Sequence, residues 1–258
     1  MKGNVIYDDV FFEGQKHGSY MSSREILPIV QRLVDPRSVC DVGCGVGTWL
    51  KSWKDLGVQD VLGLDGSYVN RKQLLISDDE FHPHDLRETI VLDRTFDLVM
   101  SLEVAEHLPP DRSSSFVKDL TSIAPLVLFS AAIPHQGGTD HINEQWQSYW
   151  AGLFNERGFR TFDVIRPLIW DNQRIERWYI QNIVIYCRED RIHLYPRLTE
   201  RPSTFPLSVV HPKQFIDGLS EQGTRDALRV LRTSLHRSAS RRLRSASNRL
   251  SGLMQRGI

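Results

Sequence analysis

The segment VCDVGCGVGTWL, residues 39–50, constrains this chain more than any other. Residues Ser38 to Val42, with β-branched Val39 and Val42, read as a strand and run directly into Gly43, Gly45 and Gly47. Residues 48–56 then take up helical spacing. Glycines between a strand and a helix permit a tight turn and let a ligand lie against bare backbone at the helix N-terminus. The spacing is GxGxG and not the GxGxxG of a dinucleotide site, because Thr48 holds the sixth position counted from Gly43. Asp41 stands two residues before the first glycine, where a carboxylate repels a pyrophosphate and favours a cationic group.

The rest of the chain repeats this alternation. Ser22 and Glu25 in SSRE read as a capping box that opens a helix with apolar positions Ile26, Leu27, Ile29, Val30 and Leu33, ended by Asp35-Pro36. Strands are expected at 61–64, 97–101, 126–130, 161–165 and 179–186, with helices at 114–123 and 145–157. Such alternation means an α/β fold: a Rossmann-like, mainly parallel sheet with helices on both faces and ligands at the carboxyl ends of its strands. The expected organisation is an N-terminal cap segment with its helix (1–37), the sheet domain (38–187), a Pro-rich strap (188–224) and a basic amphipathic tail (225–258).

Composition narrows the partners. The chain of 258 residues has no net charge, yet nine arginines and one acid follow Thr224, leaving 23 basic against 31 acidic residues before them. The body is therefore acidic and unsuited to nucleic acid. The tail repeats leucine and alanine every three or four residues among its arginines, and peripheral contact with an anionic membrane is expected there. Cys40, Cys44 and Cys187 form neither a CxxC pair nor an even set, so no disulfide frame or structural zinc is expected. The opening residues hold no unbroken apolar core of the kind a signal peptide needs, and no run approaches a membrane span. The expected location is the cytoplasm, peripheral at the inner membrane face if the tail engages.

The motif from Asp41 to Gly47 resembles the first motif of class I S-adenosylmethionine-dependent methyltransferases, (D/E)xGxGxG, and the resemblance extends over residues 38–187. It implies seven strands with the last antiparallel, and S-adenosyl-L-methionine as cofactor. It also implies that the second strand ends in an acid for the ribose hydroxyls. Asp65, 24 residues after Asp41, stands there. It implies further that the third strand is followed by an acid near the adenine amino group, and EFHPHD, residues 80–85, matches through Asp85, with Leu86 as a backbone and packing contact. FDLVMSLEVAEHLP, residues 96–109, matches the segment where methyl donor meets acceptor, with Leu102 on the cofactor and Glu106 and His107 towards the acceptor.

A hydroxyl acceptor benefits from a base, and His107 suits that role because imidazole titrates near neutrality. Residues 130–150 form a polar loop with His135, Asp140 and His141, followed by Trp146, Tyr149 and Trp150, placed to fold over the acceptor. Glu103, Glu106, His107 and His141 together also offer two carboxylates and two imidazoles to a divalent cation. Small-RNA 2′-O-methyltransferases use a similar set, but their further histidine lies much farther along, and the expectation here is a site without metal.

The block around residues 130–150, with the upstream GSYMSS, looks like bacterial methyltransferases of the type 11/23 group that accompany glycan assembly. The function implied is O-methylation of a small-molecule or glycan hydroxyl. Two alternatives stand beside it: an NAD-dependent oxidoreductase on a related fold, disfavoured by GxGxG and Asp41, and a catalytically silent surface-binding or scaffold protein.

Overall fold

Near-continuous apolar runs in the central strands, whose successive side chains face opposite ways, produce a sheet covered on both sides. The computed structural model describes residues 9–200, 206–216 and 218, with side chains from Gly18 onward. Its strands are β1 (Ser38–Val42), β2 (Asp60–Asp65), β3 (Phe81–Pro83), β4 (Leu98–Leu102), β5 (Leu126–Ser130), β6 (Phe159–Phe162) and β7 (Val184–Arg188). They form one seven-stranded sheet in the order β3-β2-β1-β4-β5-β7-β6. β1 to β5 are mutually parallel, and β7 runs antiparallel to both β5 and β6. The expected fold class and the antiparallel last strand are both present.

The helices are α1 (Asp9–Val34), α2 (Thr48–Asp55), α3 (Ser113–Ile123), α4 (Gln147–Asn155), α5 (Arg166–Ile169) and α6 (Arg177–Asn182). Leu98 and Met100 of β4, Leu126 and Leu128 of β5, and Ile185 and Cys187 of β7 join one core with Ile26, Leu27 and Val30 of α1 and Trp49, Leu50 and Trp53 of α2. Val99, Val127, Phe129, Val184 and Tyr186 point the other way, onto Phe116, Val117 and Leu120 of α3 and Trp150 and Phe154 of α4. Trp150 is thus a core residue, packed 5.2 Å from the Phe129 ring.

Two expected elements differ. The SSRE box does not open a helix, because α1 already runs from Asp9. The Ser22 hydroxyl donates to the Gly18 carbonyl one turn earlier (2.7 Å) and accepts the Glu176 N–H (3.0 Å), while Glu25 accepts from Asn172 (2.9 Å). Tertiary partners thus use the residues that in isolation read as a cap. The β-prone stretch from residue 179 also divides: Tyr179 to Asn182 belong to α6, and the strand starts only at Val184. The Tyr179 ring meets Trp49 edge-on at 5.1 Å, and Gln181 and Asn182 turn their amides inward. Burial of those polar groups in a hydrogen-bonded network outweighs β propensity here.

Beyond β7, two 3₁₀ turns, Glu189–Leu194 and Pro196–Leu198, bring Leu198 into the core at 1% exposure. The chain divides into two compact units, Met1–His211 and Pro212–Ile258. Within the second, residues 212–216 are helical. The basic tail expected at 225–258 lies outside the described residues, and among those described no helix is long and apolar enough to cross a membrane.

Arg166, fully buried, ties the region after β6 to α6. Its guanidinium donates to both oxygens of Asp163 (2.8 and 2.6 Å) and to the Gln181 carbonyl (3.0 Å). Asp163→Ala, which strands a buried cation, is expected to destabilise the fold by about 3–5 kcal/mol in denaturant unfolding, and Arg166→Met added to it should recover much of the loss.

Candidate active site

The glycine turn leaves β1 and meets the carboxyl end of β2 and the segment after β4, which is in turn bonded to the end of β5. Gly43 and Cys44 donate their N–H groups to the Leu64 carbonyl (2.7 and 3.2 Å), which ties the turn to the end of β2. Gly43 has φ 89°, and a Cβ there would stand 2.3 Å from Val104 Cγ2, so a bare backbone lets the turn close against the segment leaving β4. Gly45 has φ 54°, yet a Cβ built on it meets nothing within 4 Å. That backbone faces open space. Gly47, with φ 81°, caps the N-terminus of α2.

Two acids flank this turn. Asp65, the last residue of β2, is 4% exposed and accepts the Gly45 N–H (2.7 Å), the Gly66 N–H (2.6 Å) and the Tyr68 hydroxyl (2.5 Å). Burial raises its pKa, opposed by these three hydrogen bonds. Asp41 is equally buried, and desolvation first, then the charge of Asp65, push it up to about 8. A pair of desolvated carboxylates is receptive to hydroxyl donors and to a positive charge. Asp85 has a different setting. Arg87 grips its exposed carboxylate through Nε and Nη2 and holds it down at about 2. Leu86 lies in the core, its carbonyl bonded to Arg112 (3.2 Å), and Leu102 is buried at the end of β4.

Past β4 the chain turns sharply at Glu103, whose φ is 56°. Its N–H donates to the Ser130 carbonyl (3.0 Å), and its carboxylate accepts from Gln136 (2.9 Å) and Asn182 (3.2 Å). Gln181 in turn donates to Gln136 (3.2 Å), so β4, the loop after β5 and α6 meet in one amide network. Burial raises the Glu103 pKa.

Glu106 is fully buried, and neither carboxylate oxygen has a hydrogen-bond partner of standard geometry among the described residues. Burial, followed by the nearby Glu103 charge, drives its pKa far above the ordinary carboxylate value. Its carbonyl accepts the N–H groups of Ile142 and Asn143 (2.9 and 3.0 Å), which fastens the loop after β5 over the 3₁₀ turn Ala105–His107. His141 thereby meets His107 edge-on, with ring centroids 4.8 Å apart. Glu144 organises the same loop, accepting the backbone N–H groups of His135 (2.8 Å) and Gly137 (2.9 Å) and pairing with His141 Nδ1 (3.0 Å). Partial burial, then the neighbouring His141, lower the His107 pKa, while a hydrogen bond with the Asp140 carbonyl opposes the shift.

Of the expected acceptor-side residues, Glu106, His107 and His141 are brought together, with ligating atoms within 4.8 Å of one another. His135 joins the loop through its backbone, and its exposed side chain stands outside that trio. Tyr68, Gln136, Glu144 and Asn182 are site residues that pattern reading missed. Only Glu144, three residues beyond His141, carried a local signal, and the others are brought in by the tertiary fold.

The comparisons agree with this geometry. The sequence pattern of the methyltransferase domain family matches residues 15–174. Similar solved folds include the sugar N-methyltransferase KedS8 from Streptoalloteichus sp ATCC 53650, at 14% identity over 73% of this chain and 96% of that one, with a TM-score of 0.55. Another is CalS10, an amino pentose methyltransferase from Micromonospora echinaspora with SAM bound, at 14% identity over 73% and 100% of the two chains, TM-score 0.50. DesVI of Streptomyces venezuelae matches at 23% identity over half of this chain and 58% of its own length, TM-score 0.42. No curated protein matches the sequence. With well over half of its length inside the family pattern and the sheet order to go with it, the chain belongs to the methyltransferase domain family, S-adenosylmethionine-dependent enzymes.

Proposed function

We propose that this enzyme methylates a hydroxyl of a small molecule or sugar, with His107 as the base. The observation that carries the reading is the packing of Val104 on Gly43, which sets the Glu106-His107 turn directly beside the glycine turn and its two acids. The dinucleotide oxidoreductase alternative falls with the family assignment.

The residues present fit S-adenosylmethionine. Gly45 offers bare backbone facing open space, Asp65 is an acceptor for ribose hydroxyls, and the buried Asp41 complements a cationic methionine end. Asp85 and Leu86 border the adenine side, where Asp85 serves only by exchanging Arg87 for an adenine amino group. When bound, the cofactor supplies a methyl group on a positively charged sulfur, open to in-line attack. The protein's task is then mainly to position an acceptor oxygen and to receive its proton. His107 is fitted to the second role, because its lowered pKa keeps the ring neutral, with a free lone pair, at physiological pH. His141, fixed by Glu144, closes the acceptor side, and the exposed Trp146 and Tyr149 offer flat apolar faces beyond it.

A second reading has its own observation. Glu106, His107 and His141 converge, the Glu106 carboxylate is buried with no hydrogen-bond partner of standard geometry among the described residues, and each imidazole has a hydrogen bond to orient it. That is a donor set for a divalent cation, which would orient and acidify the acceptor hydroxyl.

Three experiments decide between and beneath these readings. Asp65→Ala should weaken S-adenosylmethionine binding by about 1.5–3 kcal/mol in calorimetry, the range for hydrogen bonds to a charged group. Unchanged affinity removes Asp65 from the ribose. His107→Ala should lower kcat about 10²-fold or more with cofactor affinity intact. The neutral ring is the active form, so wild-type turnover should fall as pH drops through a pKa below about 6.5, and the mutant should lose that limb. Turnover abolished by a chelator and restored by added Mg²⁺ or Zn²⁺ selects the cation reading instead.

The basic segment from Arg225 is proposed to hold the enzyme at an anionic bilayer. Truncation after Thr224 should abolish salt-sensitive cosedimentation with anionic liposomes and leave turnover of a soluble acceptor unchanged. Full-length protein that never binds the vesicles rejects this role.

A further inference from the structure

Asp65 receives three donors from its own chain. Oδ2 accepts the Gly45 N–H, while Oδ1 accepts both the Gly66 N–H and the Tyr68 phenol. A carboxylate has about four acceptor sites, so about one is left, whereas a ribose edge presents two hydroxyl donors. One of the three resident donors has to yield for both to be accepted.

The backbone donors are poorly placed to do so. Gly45 lies in the turn pinned to Leu64 through its neighbours Gly43 and Cys44, and the Gly66 N–H belongs to the residue next to the acid itself. Tyr68 differs in kind. It is a side-chain donor, 65% exposed, reaching back over a nearly inaccessible acid. Its ring lies flat on Gly66, where a Cβ would meet Tyr68 Cε1 at 2.1 Å. The fold-back therefore depends on residue 66 lacking a side chain, and the donor that has to move sits on an exposed side chain and not on the backbone of β2 or the glycine turn.

We propose that Tyr68 competes with the ribose for Asp65 and so sets the affinity and residence time of the cofactor and its product. Phenol and ribose hydroxyls are donors of the same type. An incoming ribose therefore displaces a hydrogen bond of similar strength to the one it forms, and a departing one is replaced at the buried acid by the phenol. Tyr68 thus lowers affinity and shortens the residence of S-adenosylhomocysteine, a product that must leave on every turnover. The inference rests on Asp65 as the ribose acid.

Calorimetry with S-adenosylhomocysteine as the probe separates the two. Tyr68→Phe keeps the ring and removes the competing donor, so its Kd should fall about fivefold or more, a fraction of one charge-assisted hydrogen bond, with slower dissociation in stopped flow. The gain should vanish when Tyr68→Phe is placed on Asp65→Ala. A Tyr68→Phe protein that binds no tighter than wild type overturns the proposal, as does a gain that survives on Asp65→Ala. If Asp65→Ala weakens binding while Tyr68→Phe changes nothing, the ribose acid stands and only the competition fails. If Asp65→Ala leaves the Kd unchanged, the reading beneath both fails.

Discussion

The site depends on a buried carboxylate holding a bare turn. Asp65 is desolvated, which is unfavourable for a charge, and is compensated by backbone N–H groups aimed at it from Gly45 and Gly66. Those bonds fix the glycine turn over the end of β2. The turn in turn fixes Val104, because Gly43 leaves no room for anything but the β4 exit segment. From that contact onward, Glu103, Glu106 and His107 have their positions set by sheet geometry, not by loop preference.

A second layer of desolvated polar groups sits on top of the first. Glu103 is held by Gln136 and Asn182, and Glu106 is buried next to it with its carboxylate unsatisfied among the described residues. Accumulating buried carboxyls in one place opposes folding, and the opposing stabilisation comes from the two apolar cores on either side of the sheet. Strongly shifted acids gathered at strand ends are the usual mark of a reaction centre, where charge is withheld from water until a ligand arrives. Glu103, in the left-handed region without being glycine, adds backbone strain at the same point.

Reading the chain as pattern recovered the elements whose signal is local. β1, β5, α2 and α3 lie within a residue or so of where apolar periodicity puts them, since burial on both faces writes itself directly into the strand sequence. Where a competing interaction came from far along the chain, pattern failed. Ser22 and Glu25 look like a cap but answer to residues 172–176, and Tyr179 to Asn182 look like a strand but are drawn into a helix by their buried amides. The same division runs through the site. The positions of Asp41, Gly43, Gly45 and Asp65 around one turn were legible because each sits at a fixed step from a strand end, whereas the pairing of Asp85 with Arg87 was not.

What the sequence determined by itself is the family, the sheet and the glycine turn with its two flanking acids, all written in short-range spacing between strand ends and glycines. Tertiary structure decided how the acceptor-side residues named by the sequence are assembled. His107 and His141 are 34 positions apart, and no local rule brings their rings to 4.8 Å. The loop after β5 does so, by donating two N–H groups to the Glu106 carbonyl and closing on Glu144. Backbone hydrogen bonds of this kind carry no side-chain signature, so the geometry they impose is absent from the one-dimensional pattern even where the residues are legible.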